Sequence, residues 1–241
     1  IDGKTAADGN DPMRWPVLRE AQWDAAQSID NVYAICTIDC GEYDNIHPLD
    51  KRTPGERLAN CALRQIYGMD RVPVHGPTVL GFRCDPNGRV RLFFRYAHGL
   101  HFEGTTPGGG GDFDGQLPTL VRVPEHSGFE LAGVDGVFHP ATAAIFVDCD
   151  IDDLVNSRVN VVDYNATEFG IPINSRSIGT ITLATPDVPE PVAMRYAWRS
   201  WGPAPLFNDD GLPAQPFRLD LTDHTSPVES AEPVTPDGTA D

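Results

Sequence analysis

The hydrophobic positions of the chain repeat with two different periods, and the change falls near residue 76. Residues 13–28 repeat apolar positions at helical spacing, which predicts a helix with Pro16 in its first turn. Its predicted inward face comprises Trp15, Leu18, Gln22, Ala25 and Ala26. Residues 32–38 are a continuous apolar run rich in β-branched side chains, a pattern typical of a parallel strand buried on both faces.

A second helix is predicted after this strand. Thr53 is the predicted N-cap, Pro54 takes the first helical position, and Glu56 completes a capping box. Gly68 ends the helix. Its predicted inward residues are Leu58, Ala62 and Ile66, with Cys61 as a further candidate. A strand between two helices indicates a layered α/β fold, in which ligands bind beyond the carboxyl ends of the strands.

From residue 76 onward the pattern favours strands. Residues 78–84 and 89–96 flank a turn at 85–88 and predict a β-hairpin. Further strands are predicted at 119–123, 128–132, 143–147, 158–162, 179–183 and 192–198. Short strands at this spacing, with little helix between them, predict an antiparallel β-sandwich. Residues 222–241 carry few large apolar side chains, so we expect a disordered tail.

The composition limits the kinds of partner and ligand that this chain is expected to bind. The formal net charge is −17, with 35 acidic against 18 basic residues, which argues against nucleic acid or an anionic membrane surface as a partner. No apolar stretch reaches the roughly 20 residues that span a bilayer. This chain also starts without the basic and apolar segments of a signal peptide, so any signal would belong to a precursor.

The five cysteines are expected to be buried free thiols. Cys36 and Cys40 are spaced C-x-x-x-C, but no second Cys or His pair at zinc spacing accompanies them, so no metal site is predicted. No cofactor is predicted either.

The candidate chemistry lies in the loop after the predicted strand. Asp44 and His47 are three residues apart, and Pro48 stiffens the exit of the loop. A carboxylate that bonds an imidazole fixes its tautomer and stabilises its cation, as a general base for a serine hydroxyl requires. Asp39 and Glu42 are alternative acids, and a loop histidine bonded to a nearby carboxylate is the simpler interpretation of the spacing alone.

Three separated segments resemble one enzyme family. The first is Leu-Arg-Glu-Ala-Gln at 18–22, with Trp15 before it. The second is Asp-Asn-Ile-His-Pro-Leu-Asp-Lys-Arg at 44–52, followed by Gly-Glu-Arg-Leu-Ala at 55–59. The third is Arg-Tyr-Ala-Trp at 195–198, followed by Gly-Leu-Pro-Ala-Gln-Pro-Phe-Arg at 211–218. In this order they resemble the sialate O-acetylesterase-like carbohydrate esterases of the SGNH hydrolase superfamily. One position departs from the family, since many relatives carry the acid where this chain has Asn45.

The resemblance implies a fold and an activity. Residues 1–75 would be the C-terminal segment of a flavodoxin-like three-layer α/β/α SGNH domain, followed by a β-sandwich at 76–221. His47 and Asp44 would be the catalytic base and its orienting acid in a carbohydrate O-acetylesterase. The chain has no Gly-Gln-Ser-Asn-like block, so the nucleophilic serine is expected on an N-terminal portion of the same precursor. An acetylated carbohydrate is the expected substrate, and a secreted or periplasmic location is expected, with a cytoplasmic one left open.

The sequence also allows other roles for some residues and other functions for the chain. Ser127 adjoins His126, but neighbours on a strand point to opposite faces, so this pair is a poor nucleophile and base. Packing is the preferred role of Arg195, Tyr196 and Trp198, and sugar stacking by Trp198 or Trp201 is the less favoured alternative. The competing functions are a non-catalytic carbohydrate-binding module and a purely structural subunit.

Overall fold

The computed structural model describes residues 14–42, 45, 47–103, 120–122, 124–146, 160–161 and 178–222. These ranges contain two helices of 14 residues, α1 (Trp15–Ser28) and α2 (Arg52–Gln65), and one helical turn, α3 (Pro124–Ser127). The predicted disordered tail lies outside the described residues except for Thr222, and Cys149 lies outside them as well.

Most of the regular structure is β-strand. The strands are β1 (Thr78–Cys84), β2 (Val90–Arg95), β3 (His101–Phe102), β4 (Leu120–Arg122), β5 (Phe129–Ala132), β6 (Phe138–Pro140), β7 (Thr142–Phe146), β8 (Asn160–Val161), β9 (Gly179–Ala184), β10 (Ala193–Tyr196), β11 (Leu206–Phe207) and β12 (Phe217–Asp220). They form a six-stranded sheet in the order β4-β7-β9-β2-β1-β8, a four-stranded sheet in the order β12-β10-β5-β6, and the pair β11-β3.

Each pairing between these strands is antiparallel, as predicted for this region. One hydrophobic cluster contains residues of both large sheets, including Phe94 and Ile181 from one and Phe129 and Tyr196 from the other. Two antiparallel sheets that share a core form a sandwich. The predicted β1–β2 hairpin is confirmed, and Gly88 supplies the left-handed backbone (φ 79°) that its turn requires.

The prediction of a buried strand at residues 32–38 is wrong for the described structure. These residues join no β-ladder, and Val32 and Tyr33 are 37% and 44% exposed. The physical reason is that a parallel strand needs hydrogen-bonded neighbours. The strands of the described residues all pair with one another and none pairs with this segment. No parallel sheet, and hence no three-layer α/β/α arrangement, is present within the described ranges.

The predicted inward faces of both helices are also turned outward. Leu18 on α1 is 57% exposed, and Leu58 and Ile66 on α2 are 59% and 67% exposed. Cys61, the further candidate for the inward face of α2, is buried. Of the fourteen large hydrophobic side chains exposed in the described ranges, eleven lie between Trp15 and Met69. The periodicity identified the apolar positions, but Leu18, Leu58 and Ile66 remain largely exposed within the described ranges.

The start of α2 differs from the predicted capping box. The helix begins at Arg52, one residue before the predicted N-cap, and Asp50 accepts hydrogen bonds from the N–H groups of Arg52 and Thr53, both at 3.0 Å. Glu56 instead pairs with Arg52 at 2.6 Å. The two hydrogen bonds from Thr53 hold the pKa of Asp50 below its usual value. The domain boundary at residue 75 stays a prediction.

Candidate active site

A buried arginine holds the first part of the loop that carries His47, here called the His47 loop (residues 39–50). Arg57 on α2 donates to both carboxylate oxygens of Asp39 at 2.6 Å and to the carbonyl of Cys36 at 2.7 Å. It also donates to the carbonyl of Gly211 at 3.4 Å. One guanidinium therefore joins α2, the start of the His47 loop and a turn of the β-region.

The same cluster suppresses the acidity of two thiols. Burial, assisted by the nearby carboxylate of Asp39, raises the pKa of Cys36 to about 12 and that of Cys40 to about 11. Cys36, Cys40, Cys61 and Cys84 are free, as predicted for the described cysteines. Thiols with such raised pKa values are poor nucleophiles at neutral pH. Neither Cys36 nor Cys40 is therefore a candidate nucleophile.

A second carboxylate closes the middle of the His47 loop. Glu42 accepts from the backbone N–H of Leu49 at 2.6 Å and from the side-chain amide of Asn45 at 2.9 Å. The amide oxygen of Asn45 in turn accepts from the backbone N–H of His47 at 2.9 Å. The two hydrogen bonds to Glu42 hold its pKa below the usual value. These contacts link Glu42, Asn45, His47 and Leu49 in one hydrogen-bond network.

The imidazole of His47 is exposed rather than packed into a core. Asp44, its predicted orienting acid, lies outside the described residues, so the contact between the two side chains stays a prediction. The two alternative acids are described, and each has both carboxylate oxygens in other hydrogen bonds: Asp39 with Arg57, and Glu42 with Leu49 and Asn45.

Ser127 is buried in a structural role. Its side chain is 0% exposed, and its hydroxyl donates to the carbonyl of Ala141 at 2.6 Å and accepts from the N–H of Phe129 at 3.1 Å. It belongs to the turn α3 and not to a strand, so the predicted context was wrong. The conclusion that Ser127 with His126 is a poor catalytic pair stands on this burial.

The residues at the start of the third resembling segment (195–198) pack mainly inside the molecule. Tyr196 is fully buried, and its hydroxyl accepts from the N–H of Leu206 at 2.9 Å. Arg195 pairs with the buried Glu130 at 2.6 Å, and its guanidinium lies 4.0 Å from the ring centre of Phe138. The preferred packing role is therefore confirmed for Arg195 and Tyr196.

Polar contacts fasten α1 to the β-region. Arg19 donates to the carbonyls of Arg199 at 2.8 Å and Ser200 at 3.0 Å. Glu20 pairs with Arg218 through two contacts of 2.8 Å, and Arg218 lies 5.1 Å from the ring centre of Trp198. The first and third segments that carry the family resemblance therefore contact each other, although 198 residues separate Glu20 from Arg218. The second segment contacts the third where Arg57 donates to the carbonyl of Gly211.

A cavity of about 440 Å³ lies between α1, residues 34–42 and residues 197–202. Its wall contains Trp15, Trp23 and Trp201, together with Asn45 and Pro48 of the His47 loop. The volume is within the range usual for small-ligand sites. No local sequence pattern signals this cavity, because its two sides come from distant parts of the chain.

Within the described ranges no group of three or more His, Cys, Asp or Glu side chains is arranged to hold a metal ion. No helix found there combines the length and the apolar character needed to cross a membrane.

Comparison with solved structures places this fold beside a known enzyme. The structure is similar to the crystal structure of a carbohydrate acetylesterase from Xanthomonas citri, with a TM-score of 0.58 and 27% sequence identity over 91% of this chain. The chain spans 38% of the length of that protein. No protein-family model matches the sequence. No curated protein matches it either. The likeness supports a relation to the carbohydrate esterases.

Proposed function

We propose that this chain is part of a carbohydrate O-acetylesterase of the SGNH type, in which His47 is the general base. The observation that carries the proposal is the likeness to a carbohydrate acetylesterase across 91% of the chain. The imidazole of His47 is exposed, and its backbone N–H is held by Asn45, which in turn bonds Glu42; this supports the proposal further, because a base must be both reachable and held in place.

In the proposed reaction, a ring nitrogen of His47 takes the proton from a serine hydroxyl. The serine oxygen bonds to the carbonyl carbon of the acetyl group, and the bond to the sugar oxygen breaks as that oxygen takes the proton from His47. Water then attacks the acetyl-serine as His47 takes one of its protons. His47 returns that proton to the serine oxygen as the ester bond breaks, and acetic acid leaves and ionises to acetate and a proton. The products are acetate, a proton and a sugar hydroxyl, so atoms and protons balance.

We propose Asp44 as the acid that orients His47. Asp39 and Glu42 are weaker candidates, because their carboxylate oxygens already accept other hydrogen bonds. The assignment predicts that Asp44→Asn lowers kcat more than Asp39→Asn or Glu42→Gln does. A larger loss from either of the other two would move the role to that residue.

The serine is proposed to lie on a segment outside this chain, the N-terminal portion of the same precursor. Two observations support a missing neighbour. Leu18 on α1 and Leu58 and Ile66 on α2 are largely exposed within the described ranges, and the likeness spans only 38% of the acetylesterase. An enzyme acting on acetylated glycans fits a secreted or periplasmic location, which is part of this proposal.

The test is acetate release by the intact protein that contains this chain. His47→Ala should lower turnover of 4-nitrophenyl acetate by about 10³-fold or more, because the hydroxyl then lacks its base. Ser127→Ala serves as the matched control and should leave turnover unchanged, since Ser127 is buried in a structural role. Near-normal turnover by His47→Ala would overturn the proposal. Glycan binding without any hydrolysis by the unchanged protein would favour a binding module instead.

A further inference from the structure

The cavity beside the His47 loop has the composition of a sugar-binding site. Three of the four tryptophans of the chain line it. Trp15 and Trp201 are 36% and 39% exposed, although tryptophan is usually well buried. Indole rings offer a flat apolar surface on which the C–H face of a pyranose can pack, while their edges remain in contact with water.

The cavity adjoins the candidate base. Asn45 and Pro48, which flank His47 in the chain, both line it. The ring of Trp201 lies against the backbone of Gly41, where a β-carbon would sit 3.4 Å from the nearest ring carbon. A sugar seated on Trp201 would therefore lie next to the His47 loop.

The cavity also offers hydrogen-bonding groups. Gln22 on α1 and Gln215 both line it, and the side-chain amide of neither residue is hydrogen-bonded to another described residue. An amide both donates and accepts, which matches a sugar hydroxyl. The guanidinium of Arg19, in contrast, is bonded to two backbone carbonyls and holds the wall in place.

The cavity takes in Trp15 and Gln22 of the predicted inward face of α1 but not the exposed Leu18. Trp15, Arg19, Gln22 and Trp23 recur at helical spacing and lie on one side of α1. Val17, which is 48% exposed, falls on the other side of the helix. The wall facing α1 comes from residues 197–202, so this chain builds both sides of the cavity by itself.

We propose that this cavity is the subsite for one pyranose unit of the O-acetylated glycan, with its ring on Trp201 and its hydroxyls bonded to Gln22 and Gln215. The inference rests on the proposed esterase function. It assigns glycan recognition to residues of this chain other than the base and its orienting acid.

The first experiment compares two substrates in the intact enzyme. O-acetylated oligosaccharides of xylan, xyloglucan and sialic acid are screened, and the best is set against 4-nitrophenyl acetate, which carries no sugar. Trp201→Ala should raise KM for the oligosaccharide about tenfold, from the loss of one stacking contact, and leave KM for 4-nitrophenyl acetate unchanged. Trp201→Phe should recover part of the loss because it keeps an aromatic ring.

Gln22→Ala should also raise KM for the oligosaccharide. Gln27→Ala is its matched control, since Gln27 is an exposed residue of the same helix outside the cavity wall, and it should have no effect. Equal effects of Trp201→Ala on both substrates, equal effects of the two glutamine variants, or no preference for any oligosaccharide would each overturn the subsite.

A second experiment separates this inference from the function on which it rests. Calorimetric titration of the His47→Ala protein with the same oligosaccharides should show binding, and adding Trp201→Ala should weaken it about tenfold. If His47→Ala stays active, the proposed function fails while the titration still decides the subsite. Unchanged affinity on removal of Trp201 would overturn the subsite whatever the activity.

Discussion

Arg57 and Asp39 form a two-pronged ion pair, with both N–O distances at 2.6 Å, between α2 and the start of the His47 loop. The Arg57 side chain is 9% exposed and that of Asp39 is 22% exposed. Since the pair is shielded from water and shares the guanidinium with the carbonyl of Cys36, it should contribute more than a surface pair does.

Replacing Arg57 by Met should therefore destabilise the protein by about 2–3 kcal/mol, because the largely buried carboxylate of Asp39 then lacks its positively charged partner. Urea denaturation measures this change. A double-mutant cycle with Asp39→Asn should show a coupling of at least about 1 kcal/mol between the two side chains.

The control for this pair is Arg52→Ala. Arg52 pairs with Glu56 at the same 2.6 Å, but the two side chains are 86% and 60% exposed, so the expected change is below about 0.5 kcal/mol. Equal losses from Arg57→Met and Arg52→Ala would show that shielding does not strengthen the first pair.

The two hydrogen bonds that Glu42 accepts from Leu49 and Asn45, here called the Glu42 bridge, should be sensitive to acid. Hydrogen bonds from Leu49 and Asn45 lower the pKa of Glu42 from its ordinary 4.5. They are therefore fully present above pH 4.5 and are lost as the pH falls through the lowered folded-state pKa. Hydrogen exchange of the Leu49 amide should remain slow down to pH 4.5 and accelerate below it, relative to its intrinsic rate.

Glu42→Gln should abolish that acid-dependent change, because the amide does not titrate. If Glu42 positions the loop, the variant should lower kcat on 4-nitrophenyl acetate about tenfold with little change in KM. Asn87→Asp, on the distant β1–β2 turn, is a control for a charge change and should leave kcat unaltered. A normal kcat for Glu42→Gln would show that His47, the proposed base, does not depend on these hydrogen bonds.

His75 should make stability depend on pH in a defined range. Burial, reinforced by Arg64 and Arg95, lowers its pKa from 6.5 to about 4, and its ring stacks on Tyr96 at 4.6 Å. Below pH 6.5 the unfolded chain binds a proton that the folded chain does not bind until about pH 4. Stability is therefore lost as the pH falls from 6.5 to 4, by at most about 3 kcal/mol.

Thermal unfolding between pH 7 and pH 4 tests this expectation, with His75→Phe as the comparison. Phenylalanine can keep the stacking on Tyr96 but does not titrate, so the variant should lose less stability across this range. His98→Phe is the matched control, since His98 is exposed, and it should leave the pH dependence as it was. Identical pH profiles for the His75→Phe and unchanged proteins would contradict the expectation.

Glu130 is the centre of the polar network under the C-terminal segment. Its side chain is 7% exposed and bonds Arg195 and Arg199, both at 2.6 Å. Glu130→Ala leaves the buried charge of Arg195 unpaired and should destabilise the protein by about 3 kcal/mol in urea denaturation. Glu190→Ala, at an exposed position, should change stability by less than about 0.5 kcal/mol. A loss below 1 kcal/mol for Glu130→Ala would exclude this role.

The uncovered side of α2 predicts an interaction. Leu58 and Ile66 lie on one side of the helix and are largely exposed. If the proposed serine-bearing N-terminal portion covers this side, Leu58→Asp with Ile66→Asp should prevent its co-purification with this chain when the two are coexpressed, because charges oppose burial. Val134→Asp with Val137→Asp is the matched control on the β-region, where both residues are also exposed. Unimpaired co-purification of the α2 variant would place the contact elsewhere.

Local features of the fold could be predicted from the residue pattern alone. The β1–β2 hairpin and the strands near residues 129–132, 142–146 and 179–184 follow from apolar runs bounded by turns, which act over a few residues. The shortest strands, such as β3 and β11, were missed because two residues carry no recognisable period. The apolar positions of the helices were also recognised, although not the fact that Leu18, Leu58 and Ile66 stay largely exposed.

What the sequence determined by itself is the set of local elements, the apolar faces and the position of His47 in a loop. Tertiary structure alone decided that Arg57 reaches Asp39 and Gly211, that Arg19 bonds residues 180 positions away, and that three tryptophans meet in one cavity. The physical reason is that periodicity records which side of an element avoids water. It does not record which other element, distant in the chain, comes to cover that side.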